Sequence, residues 1–299
     1  MTTYNMALSK IIIGTRASKL ALWQAEHVKA LIENKFSIPV SIKKISTKGD
    51  RILDRSLVEI GGKGLFLKEI EDELLAGTVD IAVHSMKDVP HEMPQGLSLV
   101  AMLERADSRD ALLSDKFSSL AALPEGAVVG TTSLRRSVQL KALRPDLVFK
   151  DLRGNVDTRL KKLQKGDFDA IILAAAGLKR LGLDKHITEY LDTVPAIGQG
   201  AIGIECSEKN TELVSMIKQL NHEETFKTVS LERLYASQVN ASCQTPVGCH
   251  VCVAQDPKQF QLKLFHASPD GSQAIQKEMT GTWEEGNTLI QMLVFKTKD

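Results

Sequence analysis

Residues 11–15 form a short apolar run, and from Ser18 the apolar positions Leu20, Leu22, Trp23, Ala25, Val28, Leu31 and Ile32 recur at helical spacing to about Asn34. A buried strand followed by an amphipathic helix opens an α/β unit. Residues 40–46 follow Pro39 as a β-type run, and residues 47–64, with Gly49, Gly61, Gly62 and Gly64, read as a long mobile loop. A helix is expected over 65–76, ending at Gly77. Strands are expected over 79–83, which runs into His84-Ser85-Met86-Lys87-Asp88-Val89-Pro90, and over 97–103. Residues 104–110 are charged and carry no apolar period, which marks a crossover between domains.

The same grammar then repeats. Strands at 127–131, 147–150 and 170–173 alternate with helices at 133–143, 155–165 and 174–181. Residues 195–200 are a second glycine-containing break, and a strand at 201–206 is placed to return the chain to the first sheet. Two crossovers make a hinged pair of α/β domains around a cleft. Beyond Asn221, a helix over 223–239, strands at 247–254, 260–267 and 274–282, and a final helix from Glu284 describe a small α+β domain. The expected units are 1–103 with 199–221, then 109–197, then 222–299.

Composition narrows the class. With 299 residues, 43% of them hydrophobic, the chain can bury several cores. Lys and Arg number 38 against 37 Asp and Glu, so the formal net charge of +1 argues against nucleic-acid backbone binding, which needs a strongly basic face. No apolar run reaches the roughly 18 residues of a membrane helix. The first ten residues lack a secretory pattern, so a cytoplasmic protein without a membrane partner is expected.

Cations recur in loops at element junctions: Arg16, Lys63, Lys87, Arg135, Arg136, Arg153, Arg159 and Arg180. Thr131-Thr132-Ser133-Leu134-Arg135-Arg136 joins a strand end, hydroxyls and a helix start, where backbone N–H groups and guanidinium forks can converge on an anion. Carboxylates and phosphates fit equally well, and any one of these arginines could instead lie on a solvated face. Taken together at strand ends in both domains, they point to one polyanionic ligand in the cleft. Neither a Walker spacing nor G-x-G-x-x-G accompanies them. Asp88, amid cations, could stabilise developing positive charge or pass a proton; equally, it could cap the following turn.

Three of four cysteines crowd into Cys243, Cys249 and Cys252, with His250 between them. A zinc site would need the strand broken, because Cys249 shares a face with Val247, Val251 and Val253 while His250 and Cys252 point the other way. No metal is expected. Cys249 reads as a small core hydrophobe, Cys252 as an incidental thiol and Cys206 as packing, whereas Cys243 precedes Pro246-Val247-Gly248 in a loop where a thiolate can react.

The motifs Gly14-Thr15-Arg16-Ala17-Ser18, Gly61-Gly62-Lys63-Gly64-Leu65-Phe66, the run from His84 to Pro90, Ser133-Leu134-Arg135-Arg136, Leu152-Arg153-Gly154-Asn155-Val156, the run from Ala176 to Gly182, the run from Pro195 to Gly200, and Glu232-Arg233 ahead of Cys243-Gln244-Thr245-Pro246-Val247-Gly248 stand in one ordered series. In this series the chain resembles the porphobilinogen deaminase, or hydroxymethylbilane synthase, family. The resemblance implies two hinged α/β domains like those of periplasmic binding proteins and a small α+β C-terminal domain. It also implies a dipyrromethane cofactor held covalently by a thioether on Cys243. By the same resemblance, Lys87, Asp88, Ser133, Arg135, Arg136 and Arg153 bind that cofactor. Arg16, Ser18, Lys63, Arg153, Arg159 and Arg180 bind porphobilinogen and the growing polypyrrole chain, and Asp88 is the catalytic aspartate.

The implied reaction is a transferase step of tetrapyrrole, and hence haem, biosynthesis. Ammonia leaves porphobilinogen, the resulting azafulvene joins the chain, and after four rounds hydrolysis frees hydroxymethylbilane. No metal or nucleotide is implied, and a monomer is expected. One departure is Ala241-Ser242, where the family often has two glycines before the attachment cysteine. The rival reading is a non-catalytic carboxylate-binding protein of the same hinged fold, since fold alone does not give function.

Overall fold

The structure, a computed structural model, describes residues 9–51, 67–242, 245–268 and 270–295. Its first sheet contains β1 (Ile11–Arg16), β2 (Val40–Ile45), β3 (Ile81–Ser85), β4 (Leu97–Met102) and β10 (Ile202–Ser207), in the order β2-β1-β3-β10-β4. The second contains β5 (Asp110–Leu113), β6 (Val128–Gly130), β7 (Val148–Lys150), β8 (Ala170–Ala174) and β9 (Glu189–Leu191), in the order β7-β6-β8-β5-β9. One plan serves both. In each sheet the first three positions are parallel, and the fourth strand, β10 or β5, runs antiparallel to its neighbour among them.

The helices follow the apolar periods. In α1 (Lys19–Phe36) the hydroxyl of Ser18 accepts from Ala21 N at the N-cap, and Ala25, Val28 and Ile32 pack on Ile11, Ile13, Ile81, Val83, Ile202 and Ile204 of the first sheet. Full burial of each such aliphatic side chain contributes roughly 1.5–3 kcal/mol. The loop after β2 begins with a short helix, α2 (Lys48–Arg51), and the helix expected over 65–76 is α3 (Lys68–Leu75). In the second unit, α4 (Leu134–Leu143) covers one face through Leu140, while α5 (Val156–Gln164) and α6 (Ala175–Arg180) cover the other through Leu160, Leu163 and Leu178. The first core is completed by α7 (Thr211–Ile217). In the C-terminal part, α8 (Glu223–Gln238) and α9 (Gly286–Phe295) pack on the antiparallel sheet β11 (Val247–Val253), β12 (Gln259–Ala267), β13 (Ala274–Thr282).

Three elements lie where the sequence pattern gave no signal. The strand β5 begins at Asp110, inside the charged run, and β9 has three residues; both are fixed by pairing with distant chain rather than by a local period. The helix α7 is two turns long and is capped by Asn210, whose side chain accepts from Leu213 N.

The crossovers are tied together. Ala106 N donates to Gly200 O, and Gly200, at φ +93°, lies so close that a Cβ would stand 2.4 Å from Ala106 O, so only glycine fits. The buried Glu232 of α8 gathers both crossovers, accepting from Arg105 Nη1 at 2.5 Å, Arg105 Nη2 at 3.1 Å and Gly198 N at 2.7 Å. It also accepts from Val251 N of β11 at 2.8 Å.

A candidate active site between two sheets

Parallel strands present their carboxyl ends to one side, and in both sheets that side faces the same cleft. The ends of β1 and β3 deliver Arg16, Ser18, Lys87 and Asp88; the ends of β6, β7 and β8 deliver Thr132, Arg136, Arg153, Arg159 and Arg180. The cleft has a volume of about 630 Å³ and is lined by eight cationic side chains against three carboxylates, Asp50, Asp88 and Asp157. Against a chain charge of +1, this is a strong local excess of positive charge, suited to a ligand bearing several carboxylates.

Lys87 and Asp88 stand in a single 3-10 turn, Met86–Asp88, that directly follows β3. Backbone closes this turn, Val89 N donating to Met86 O. The Asp88 carboxylate accepts no hydrogen bond among the described residues, so it caps nothing there and faces the cleft. From α8, Arg233 holds the chain beyond it, donating to the carbonyls of Val89, Pro90 and His91 at 3.1, 2.7 and 3.3 Å. The Lys87 ammonium is wetted by the cleft but walled by protein. Loss of bulk solvent, opposed by Asp88 and reinforced by Arg136, lowers it to about 8, so it stays mainly protonated at neutral pH.

The helix start at α4 is built around a residue that the sequence reading passed over. Asp110 is fully buried; it receives Arg135 Nη1 at 2.7 Å, Arg136 Nε at 2.9 Å, Thr193 Oγ1 at 2.9 Å and Gln199 Nε2 at 3.0 Å. Burial alone would raise its pKa, but the two guanidinium groups outweigh that and hold the carboxyl far below the usual range. Arg135 also donates to Val194 O at 2.6 Å and lies behind the cleft wall, 4% exposed. Arg136 reaches the lining, and Ser133 caps α4 by accepting from Arg136 N. Both guanidinium groups therefore anchor on Asp110, and Arg136, which also donates to Ile172 O at 3.0 Å, is the one of the two that reaches the cleft lining.

Arg16 is held by Asp50, with Nη2 at 2.5 Å from Oδ1, so an anion reaching Arg16 must compete with that carboxylate. Arg159 donates through Nε to Gly154 O at 2.7 Å, and Arg180 through Nη2 to Gly200 O at 2.7 Å; burial lowers both to about 10, which leaves them cationic. Arg153 and Ser18 line the cleft with them. Across the cleft, Lys19 of α1 meets Asp157 of α5 at 2.5 Å, an exposed pair that contributes at most about 1 kcal/mol. Lys63, the loop residues 52–64 and Cys243 lie outside the described residues. The chain on either side of the cysteine is tied by Thr245 N donating to Ser242 O at 3.0 Å.

Of the remaining cysteines, Cys206 and Cys249 are buried and Cys252 is half-buried. Cys249 lies in the β11 core beside Val247 and Val251, and burial pushes its thiol well up; burial lifts Cys206 to about 12. His250 points away from that core and bonds Ser108 at 2.8 Å. Besides Asp110, the sequence reading missed Gln199 and Glu232 as organisers. All three sit in or against the crossovers, and the charged run at 104–110 was the available signal.

Comparison with known proteins adds a separate finding. The family model for porphobilinogen deaminase, dipyromethane cofactor binding domain, matches residues 11–215. Porphobilinogen deaminase of Laribacter hongkongensis is 46% identical over 296 residues, spanning 98% of this chain and 96% of the relative. That of Nitratidesulfovibrio vulgaris strain DP4 is 50% identical over 280 residues, 92% of this chain and 89% of its own length. Among solved structures, an ABC transporter periplasmic substrate-binding protein from Coxiella burnetii superposes with a TM-score of 0.46 at 15% identity, covering 75% of this chain and 96% of that one.

Proposed function

The chain belongs to the porphobilinogen deaminase family of transferases, and on that premise we propose that it builds hydroxymethylbilane in the cleft by four successive condensations of porphobilinogen on a dipyrromethane bound through Cys243. The observation that carries this reading is Asp88, without a hydrogen bond among the described residues at the end of β3 and facing a cleft with eight cations in its lining. Each porphobilinogen ring brings an acetate and a propionate, so a growing chain is densely anionic and matches that wall.

The residues present fit the cofactor: its carboxylates would meet Lys87, Arg136 and Arg153, with Ser133 and Arg135 fixing the helix start that presents Arg136. When bound, the dipyrromethane supplies the pyrrole carbon to which the first substrate ring is joined. Arg16, Ser18, Lys63, Arg159 and Arg180 hold the carboxylates of the incoming ring and the elongating chain. The Asp88 carboxylate accepts the substrate's pyrrole N–H and stabilises the positive charge that grows on that ring as ammonia departs. Charge of this kind is stabilised most by a carboxylate already in place and partly shielded from water. Final addition of water frees the linear product.

Two crossovers and three sheets support a division into the units 1–103 with 199–221, 109–197 and 222–299. A cytoplasmic monomer accords with this reading; among the described residues no helix is long and apolar enough to cross a membrane.

Intact mass of the denatured protein tests the covalent reading, since a thioether survives denaturation. Wild type is expected to carry the added mass of a dipyrromethane, and Cys243→Ser to lack it. Unmodified wild type that stays unmodified after incubation with porphobilinogen overturns the attachment.

A further inference from the structure

We propose that a small cavity beside Asp88 is the subsite for the substrate's aminomethyl nitrogen and receives the ammonia it releases, an inference that rests on the deaminating function above. The cavity, about 60 Å³, lies on the first-sheet side of the cleft, between α1 and the end of β3. Its polar wall is Arg16, Ser18, Gln24, His84, Ser85 and Asp88, and its floor includes the apolar Ile70 and Val83. That size suits a water-sized leaving group rather than a ring with two carboxylate arms.

The wall is rich in acceptors. Gln24, 1% exposed, and Ser85 exchange hydrogen bonds, Gln24 Nε2 to Ser85 Oγ at 2.8 Å and Ser85 Oγ to Gln24 Oε1 at 3.3 Å; each oxygen keeps a further lone pair. Behind them, His84 Nε2 stands 2.8 Å from Oε2 of the fully buried Glu205. In the neutral ring that donates Nε2–H to this carboxylate, Nδ1 is an acceptor, and no described residue bonds to it. The second oxygen of Glu205 is buried without a hydrogen-bond partner among the described residues, which leaves acceptor capacity behind the cavity. Arg16, the one cation of this wall, is paired with Asp50, which offsets its charge, and Arg233 faces Glu205 while donating to three carbonyls.

This arrangement assigns the direction of departure. The substrate's CH₂–NH₃⁺ bond breaks with its electron pair leaving on nitrogen, giving neutral ammonia and a ring carbocation delocalised as azafulvenium. The N–H groups of the ammonia find Gln24, Ser85 and His84, while Asp88 stays with the ring. Binding the amine on the sheet side and the carboxylates on the arginine side orients the scissile bond across Asp88.

Three measurements on the holoenzyme test the subsite. Ammonium chloride should inhibit competitively with porphobilinogen, whereas tetramethylammonium chloride at equal ionic strength should not. Gln24→Leu should weaken ammonium inhibition at least tenfold and raise KM for porphobilinogen at least tenfold. In calorimetry, however, Gln24→Leu should leave unchanged the affinity for the analogue with methyl in place of aminomethyl, which cannot turn over. Ser85→Ala is the second variant, and circular dichroism checks both folds. Equal inhibition by the two salts, or equal loss of affinity for substrate and methyl analogue, overturns the subsite while leaving the deaminase function standing. A wild type that releases no ammonia from porphobilinogen overturns the function itself, and the subsite with it.

Discussion

Arg105 and Glu232 form a two-pronged ion pair, Nη1 to Oε1 at 2.5 Å and Nη2 to Oε2 at 3.1 Å, that ties the first crossover to a helix of the C-terminal part. The next residue of that helix, Arg233, grips the three carbonyls after Asp88. Two consecutive side chains thus connect the first crossover, the turn that carries Asp88 and the part of the chain that contains Cys243. Because Glu232 is wholly buried and Arg105 nearly so, the value of the pair lies in what its loss leaves behind, an unpaired charge away from water.

Replacing Glu232 should therefore be costly. Glu232→Ala strands the Arg105 guanidinium and the N–H groups of Gly198 and Val251, and a loss of about 3–5 kcal/mol is expected. Urea denaturation followed by fluorescence reads this as a lowered midpoint. A midpoint within error of wild type would mean that the hinge is held by other contacts.

Asp88 calls for the opposite pattern. Its carboxylate is exposed to the cleft and makes no hydrogen bond among the described residues, so Asp88→Asn should unfold at the wild-type temperature while turnover falls by about 10²–10³-fold, the scale for removing one preorganised charge. Ammonia release in single turnover is the direct assay. Retention of more than a tenth of the wild-type rate would remove Asp88 from the central role.

Asp110 links stability to acid pH. Its folded pKa is held far below the ordinary value of 3.8 by Arg135 and Arg136, against the upward push of burial. A carboxyl of this kind stabilises the fold above its unfolded pKa, and the contribution is lost as pH falls toward the folded one. Wild type should lose stability progressively below about pH 4, while Asp110→Asn should be weaker at neutral pH and flatter across that acid range. Thermal melts from pH 6 to pH 2 compare the two slopes; parallel curves would exclude Asp110 as the responsible group.

Much of this was legible in the chain itself. The period from Leu20 to Ile32 and the serine before it specified α1 and its cap, because helix and cap are local matters of spacing and one hydroxyl. Cys249 was legible as core because a strand alternates faces. The organisers were not. Asp110 looks like one more charge in a charged run, and only pairing of β5 with β8 and β9 buries it where two arginines converge. For the same reason Arg135 and Arg136, adjacent and alike in sequence, take different places: neighbours on a helix project about 100° apart, which leaves one behind the wall and the other in the cleft lining.

Lys87 gives the cleft a basic limit. Its pKa of about 8, against an ordinary 10.5, arises chiefly from loss of solvent around the ammonium, partly offset by Asp88. Between those two values the unfolded chain binds more protons at this site than the folded one, so the group's contribution to stability rises with pH in that window. Ligand binding runs the other way, because carboxylates are attracted only by the charged form. If the proposed covalent dipyrromethane forms, apo protein incubated with porphobilinogen should gain it more slowly as pH passes about 8. Lys87→Arg, cationic throughout, should keep its rate into the higher range. Mass spectrometry of quenched samples gives the modified fraction against time without relying on turnover. An identical decline in both proteins would trace the basic limit to another group, such as the attacking thiol, and leave Lys87 as one cation among several.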